Sequence, residues 1–243
     1  MIGLGTIVNA LAIVGGGFIG LGCRRFLSER YQETMIRAMG FAIIVMSLGS
    51  TMSQMLTIDI TETEESFTWV FGTQGTMMMI LSLAIGGLLG EWIDLETRFA
   101  RFGAWMRNKT GNRGDKEFIN AFLTATLTVC VGAMAIIGAI QDGLSGDHNT
   151  LFAKAVIDFV LITMMSASMG KGCMFSAVPV ALWQGAITLL ARFIAPLITG
   201  VALSHISYVG NVLILCVGVN LIWPKTIRVA NLLPAILIAV FYP

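Results

Sequence analysis

Apolar stretches of about twenty residues recur along this chain with short polar links between them, and that pattern leaves few folds open. Inside a bilayer every backbone polar group must be paired within the protein, so only helices and closed barrels cross it. These runs do not alternate apolar with polar residues, so they read as helices. The expected spans are Ile2–Gly22, Met35–Leu56, Trp69–Gly90, Phe118–Ile140, Leu151–Met169, Phe175–Thr199, Tyr208–Trp223 and Ile227–Tyr242. The last is shorter, about 24 Å at 1.5 Å per residue, so seven spans and a half-span is the close alternative. Glu91–Met106 carries Trp92, Leu95, Phe99, Phe102 and Met106 at helical spacing, which suggests an amphipathic helix at the membrane surface.

Composition points the same way. The chain is 56% hydrophobic and 12% charged, with a mean hydropathy of +0.83. A soluble domain carries about 25% charged residues, and half that number cannot cover a water-facing surface. Residues 1–243 are therefore expected to form a single integral membrane domain, an all-α polytopic bundle of about eight (seven to eight) transmembrane helices in a lipid bilayer. The net charge of +1 says nothing about nucleic acid, but no basic patch is interleaved with aromatics, so nucleic acid is not an expected partner. Cys23, Cys130, Cys173 and Cys216 show no paired spacing and read as small buried hydrophobes. The first run lacks a basic n-region and a cleavage pattern, so it reads as a retained span rather than a signal peptide.

Basic residues orient the spans. Thirteen of the fifteen fall in alternate links: Arg24, Arg25, Arg30 and Arg37, then Arg98 to Lys116, then Lys171, then Lys225 and Arg228. Those links read as cytoplasmic, which puts the N-terminus outside. The exceptions are Lys154 and Arg192, and they fall in the stretch where function is most strongly signalled.

From Lys154 to Arg192 two apolar spans meet at Gly170-Lys171-Gly172 and hold Lys154, Asp158 and Arg192. Ionisable groups inside spans are expensive and mark candidate sites. Counting from the outer ends of their helices places Asp158 and Arg192 at a similar depth, roughly 10 Å inward, so the two are expected to meet. Lys154 lies one turn above Asp158 on the same face. The structural alternative is an ion pair that fixes packing. SASMGKGC at 166–173 reads either as a tight hairpin or as an unwound helix end where Ser166, Ser168 and Lys171 bind a solute. Asn9, Gln184, Asn211 and Asn220 are polar positions on other spans. They suit interhelical hydrogen bonds, and Asn9 and Gln184 join the candidate binding set.

GGFIG at 16–20 and GGLLG at 86–90 are small-residue faces suited to close helix approach, within the chain or with a second copy of it. GGFIGLGCRRF at 16–26 resembles QGAITLLARFI at 184–194, and 39–49 resembles 209–219, which suggests an inverted repeat of spans 1–3 and 6–8. Gly143-Leu144-Ser145-Gly146 with His148 and His205 matches a short intramembrane-protease element, but it lies in a polar loop, so a hydrolase is the weakest expectation. Two outer histidines do not make a bilayer-crossing haem carrier, and the fifteen methionines lack a copper-site spacing. No cofactor is expected, and the sequence does not identify a metal.

GTIVNALAIVGGGFIG at 5–20, GGLLGEWIDLE at 86–96, VGAMAIIGAIQDGLSGD at 131–147, KAVIDF with SASMGKGCMFSA across 154–177, and IRVANLLPA at 227–235 together resemble the uncharacterised bacterial membrane-protein family typified by YqgA and YdfK. The resemblance spans essentially the whole chain. It implies a bacterial inner-membrane protein and supplies no established activity. The leading expectation is a non-enzymatic transporter of a small solute or ion, with a membrane scaffold or signalling partner as the alternative.

Overall fold

The computed structural model describes residues 2–63, 66–111, 117–130, 133–194 and 199–242. Helices α1 (Leu4–Arg24) and α2 (Glu29–Met55) are followed by a two-stranded antiparallel hairpin, β1 (Leu56–Thr63) and β2 (Ser66–Thr73), with Leu56 opposite Thr73 and Thr63 opposite Ser66. Next come α3 (Thr76–Ile93), α4 (Leu95–Lys109), α5 (Phe118–Cys130), α6 (Ala133–Ser145) and α7 (Asn149–Met169). A 3-10 turn, Lys171–Ser176, leads into α8 (Ala177–Leu189) and the short α9 (Ala191–Ile194). The chain ends with α10 (Gly200–Ile222), a second 3-10 turn at Val229–Leu232, and α11 (Pro234–Val240).

The architecture is the expected helical bundle, with four local corrections. Among the described residues six helices are long and apolar enough to cross a membrane, counting the 3-10 turn Lys171–Ser176 with α8, and α5 with α6 makes a seventh if counted as one span, the lower of the two expected numbers. Their axes differ by 62°, so the fourth expected span is two half-helices. The last apolar piece, Val229–Val240, is too short for a full crossing. Trp69 opens no helix, because residues 66–73 pair in the hairpin. Their run of Thr, Trp, Val and Phe favours strand, and the facing Thr-Ile-Asp-Ile-Thr is β-branched at four of its five positions. The surface helix also divides, since Asp94 in a left-handed conformation ends α3 and starts α4. Glu64, Glu65, Arg113, Lys116 and the Val131-Gly132 pair of one motif lie outside the described residues.

Two close helix pairs build the core. α1 lies along α7, and α2 lies along α10. The first contact is possible because Gly20 faces the Thr163 carbonyl and the Ser166 side chain, where a Cβ would overlap both. Gly90 on α3 meets the Asn231 carbonyl in the same way. Both glycine faces are thus occupied by the chain's own elements, as close helix approach within the chain requires. α4 turns Gly103 and Met106 onto Phe118 and Phe122 of α5, while Arg98 and Arg101 stay exposed.

The outer surface is apolar. Leu11, Val45 and Leu88 are 64, 68 and 75% exposed, an arrangement water would penalise and lipid accepts. One end of the bundle collects Arg24, Lys109, Lys171 and Arg228, and Trp92, Trp105 and Trp223 are exposed near it. Tryptophans at that level suit the interface between lipid and water.

Candidate functional site

The first turns of α1 carry a ladder of buried polar contacts. Gly3 caps the start of α1 and has no side chain to satisfy the orphan N–H groups of a helix start. Asp142, from the last turn of α6, does so instead. Gly3 N–H donates to its Oδ1 at 3.0 Å and Gly5 N–H to its Oδ2 at 3.1 Å. His148 Nδ1 lies 2.9 Å from the same Oδ1. A carboxylate at a helix N-terminus is also favoured by the helix dipole, which gives fully buried Asp142 a structural role.

One residue further along α1, the hydroxyls of Thr6 and Thr188 approach to 3.5 Å. One turn deeper, Asn9 Nδ2 donates to Gln184 Oε1 at 3.1 Å, and the Asn9 amide also interacts with the Asp158 carboxylate. Asn9, Gln184 and Asp158 are all at most 2% exposed. Two amides joined by a single hydrogen bond leave the NH2 group of one and the carbonyl oxygen of the other unused, whichever way they are turned. Here Asn9 Oδ1 and Gln184 Nε2 have no partner among the described residues.

Asp158 is the tenth of the 21 residues of α7, about 14 Å from the helix start at 1.5 Å per residue and therefore near mid-membrane. Its ion partner is Lys154, one turn earlier on the same helix. The Lys154 ammonium also donates to the Val129 carbonyl at 2.9 Å. Val129 sits in the last turn of α5, where carbonyls lack intrahelical partners and the helix dipole is negative. One lysine therefore neutralises a carboxylate and caps a half-helix that ends inside the bundle.

Arg192 does not join this pair. α1 lies against both α7 and α8, so the helices carrying Asp158 and Gln184 are linked through Asn9 instead of directly. α8 ends at Leu189, and Arg192 lies exposed on α9. The expected Asp158–Arg192 contact is corrected accordingly. Ser168 is spent within its own helix, donating to Met164 O at 2.9 Å. Ser166 is fully buried where α7 meets Gly20. Lys171 is exposed on the 3-10 turn at the basic end, and Gly170 before it has φ +95 and abuts Arg24. These three residues are therefore separate from the Asn9–Gln184–Asp158–Lys154 cluster. Ser145 donates to Gln141 O at 2.8 Å, while the His148 ring goes to Asp142, so no serine–histidine pair forms there.

Sequence reading missed Asp142, Thr6 and Thr188. In sequence Asp142 sits in the polar stretch between two apolar runs, and the two threonines carry no motif.

A second polar cluster binds the basic end together. Arg228 Nη1 meets Glu91 Oε1 at 2.6 Å, Asn231 Nδ2 donates to Glu91 Oε2 at 2.6 Å, and Glu96 N–H donates to Asn231 Oδ1 at 2.7 Å. Partial burial lifts the Glu96 carboxyl above the usual range against the opposing pull of Arg228. Asn220 closes the turn before it, with its Oδ1 accepting from Thr226 and Ile227 N–H.

A lipid-facing girdle around inward-turned polar side chains defines a polytopic helical membrane protein. Within that class the chain belongs to the DUF554 family, described as proteins of unknown function, with residues 4–243 matched. It is similar to the uncharacterized membrane protein YdfK of Bacillus subtilis (strain 168), 31% identical over 235 residues, which is 96% of this chain and 93% of that one. It is also similar to the uncharacterized protein YqgA of Escherichia coli (strain K12), 27% identical over 240 residues, covering 97% and 94% of the two chains. No solved structure matches.

Proposed function

We propose that this protein is a transporter of a small solute or ion in the bacterial inner membrane, with its N-terminus outside and its basic end in the cytoplasm. The observation that carries the reading is the buried Lys154–Asp158 pair at the end of half-helix α5. Transporter sites are commonly built near mid-membrane at interrupted helices, where backbone ends and ionisable side chains converge. In this reading Asp158 takes a cation or proton, and Lys154 is the resident counter-charge that the cation displaces. Asn9 and Gln184 offer the neighbouring donor and acceptor.

The test is ligand-dependent thermal stabilisation of the purified protein, screening cations, amino acids, organic acids and polyamines, followed by flux in proteoliposomes. Wild type is compared with Asp158→Asn and with the double variant Lys154→Met/Asp158→Leu, which removes both charges. A ligand that stabilises only wild type, and moves only through wild-type vesicles, supports the proposal, since stabilisation follows from preferential binding to the folded state. Equal flux through wild type and the folded double variant would reject it.

A further inference from the structure

A cavity of about 630 Å³ opens sideways through the bundle surface, walled by α4, α5, α6, α8, α10 and α11. That volume lies within the roughly 300–1,000 Å³ of pockets that hold small molecules. It is distinct from the Asp158 cluster. Its walls are almost wholly apolar, with Leu127, Ile136 and Trp183 among them, and Leu182 and Leu237 on its rim are 64 and 59% exposed. A groove of this kind at a lipid-facing surface is open to acyl chains.

Two polar groups break the apolar lining, and each lacks a protein partner that would use it up. Thr126 is 3% exposed, and its hydroxyl has no hydrogen-bond partner among the described residues. Arg98 lines the same cavity from α4. Its Nε–H donates to the Ile93 carbonyl at 3.0 Å, which uses one of the five guanidinium donors. No carboxylate pairs with it among the described residues. A planar guanidinium with spare donors is suited to a phosphate, and a lone hydroxyl donor is suited to an ester carbonyl.

We propose that this groove is a binding site for an anionic phospholipid, which inserts one acyl chain between α8 and α11 and places its phosphate on Arg98. Charge complementarity selects the headgroup, because the cavity holds one cation and no anion. Thr126 donates to the lipid's ester region. The lipid would rest against Cys130 at the end of α5, beside the half-helix junction.

The experiment is native mass spectrometry of the delipidated protein with added phosphatidylglycerol or phosphatidylcholine of identical chains. Wild type is expected to retain phosphatidylglycerol several-fold more than phosphatidylcholine. Arg98→Gln should lose that preference while Arg107→Gln, a nearby basic change outside the groove, keeps it. Ala186→Trp fills the groove from an exposed wall position and should reduce retention of both lipids. Leu237→Trp on the opposite wall is the second blocking variant. Equal retention of the two lipids by wild type would overturn the proposal, as would an unchanged preference in Arg98→Gln. Undiminished binding in both tryptophan variants, or a dimer that they abolish without any lipid effect, would overturn it too.

Discussion

Breaking the Lys154–Asp158 pair is expected to have a cost that depends on which charge is removed. The two side chains are 8 and 3% exposed, so neither charge can be rehydrated where it stands. Removing one partner of a buried pair typically costs about 3–5 kcal/mol. Asp158→Asn leaves the ammonium with the Val129 carbonyl and the negative end of α5, so its loss belongs at the lower end, about 3 kcal/mol. Lys154→Met leaves a carboxylate with only the Asn9 amide and uncaps α5, so its loss belongs at the upper end, about 5 kcal/mol. For a chain of this size each kcal/mol moves the melting temperature by about 2–4 °C, which puts the range at roughly 6–20 °C. Lys154→Met/Asp158→Leu removes the unpaired charge and should recover most of the loss. Scanning fluorimetry in one detergent measures all four proteins. Melting of both single variants within 2 °C of wild type, or a double variant no more stable than the worse single, would contradict a buried, mutually neutralising pair.

Three further outcomes follow from other parts of the bundle. Gly90→Ala drives a methyl into the Asn231 carbonyl and should cost about 1–3 kcal/mol, whereas Gly22→Ala, open on all sides in the same kind of helix, should stabilise by up to about 1 kcal/mol; thermal unfolding separates them. Asp142→Ala strips the cap from α1 and should cost about 0.5–2 kcal/mol, read as lower protection of the Gly3 and Gly5 amides in hydrogen exchange. Glu96 titrates above its ordinary value, so the fold favours its protonated form. Stability should be greatest below the ordinary glutamate value of about 4.3 and fall as pH rises through it towards the raised folded value. Glu96→Gln should flatten that part of the melting-temperature profile, and an unchanged slope would contradict the assignment.

Lys154 and Asp158 were legible as partners because i and i+4 positions share a helix face whatever surrounds them. Arg192 was not, since its distance from Asp158 depends on which helix lies between α7 and α8. Helix α1 takes that place, and Asn9 becomes the link to Gln184. The motifs carrying the family resemblance were visible as strings, but their grouping was not. Gly90, Glu91 and Glu96 of one meet Arg228 and Asn231 of another, more than 130 residues away, while Gly5, Gly16 and Gly20 meet Asp142, Phe159 and Ser166.

The membrane class, the approximate place of most spans and the gathering of basic residues in alternate links are readable from the sequence alone. These depend on local quantities: the length of an apolar run against the thickness of a bilayer, and the charge of the links between runs. The tertiary structure alone decided that α5 stops short of a straight crossing, that Lys154 caps it, that Asp142 serves the start of α1, and that a lipid-facing groove holds one arginine. Each of these depends on groups distant in sequence approaching within hydrogen-bond reach. That is set by helix order and rotation, which the apolar pattern of a single helix does not encode.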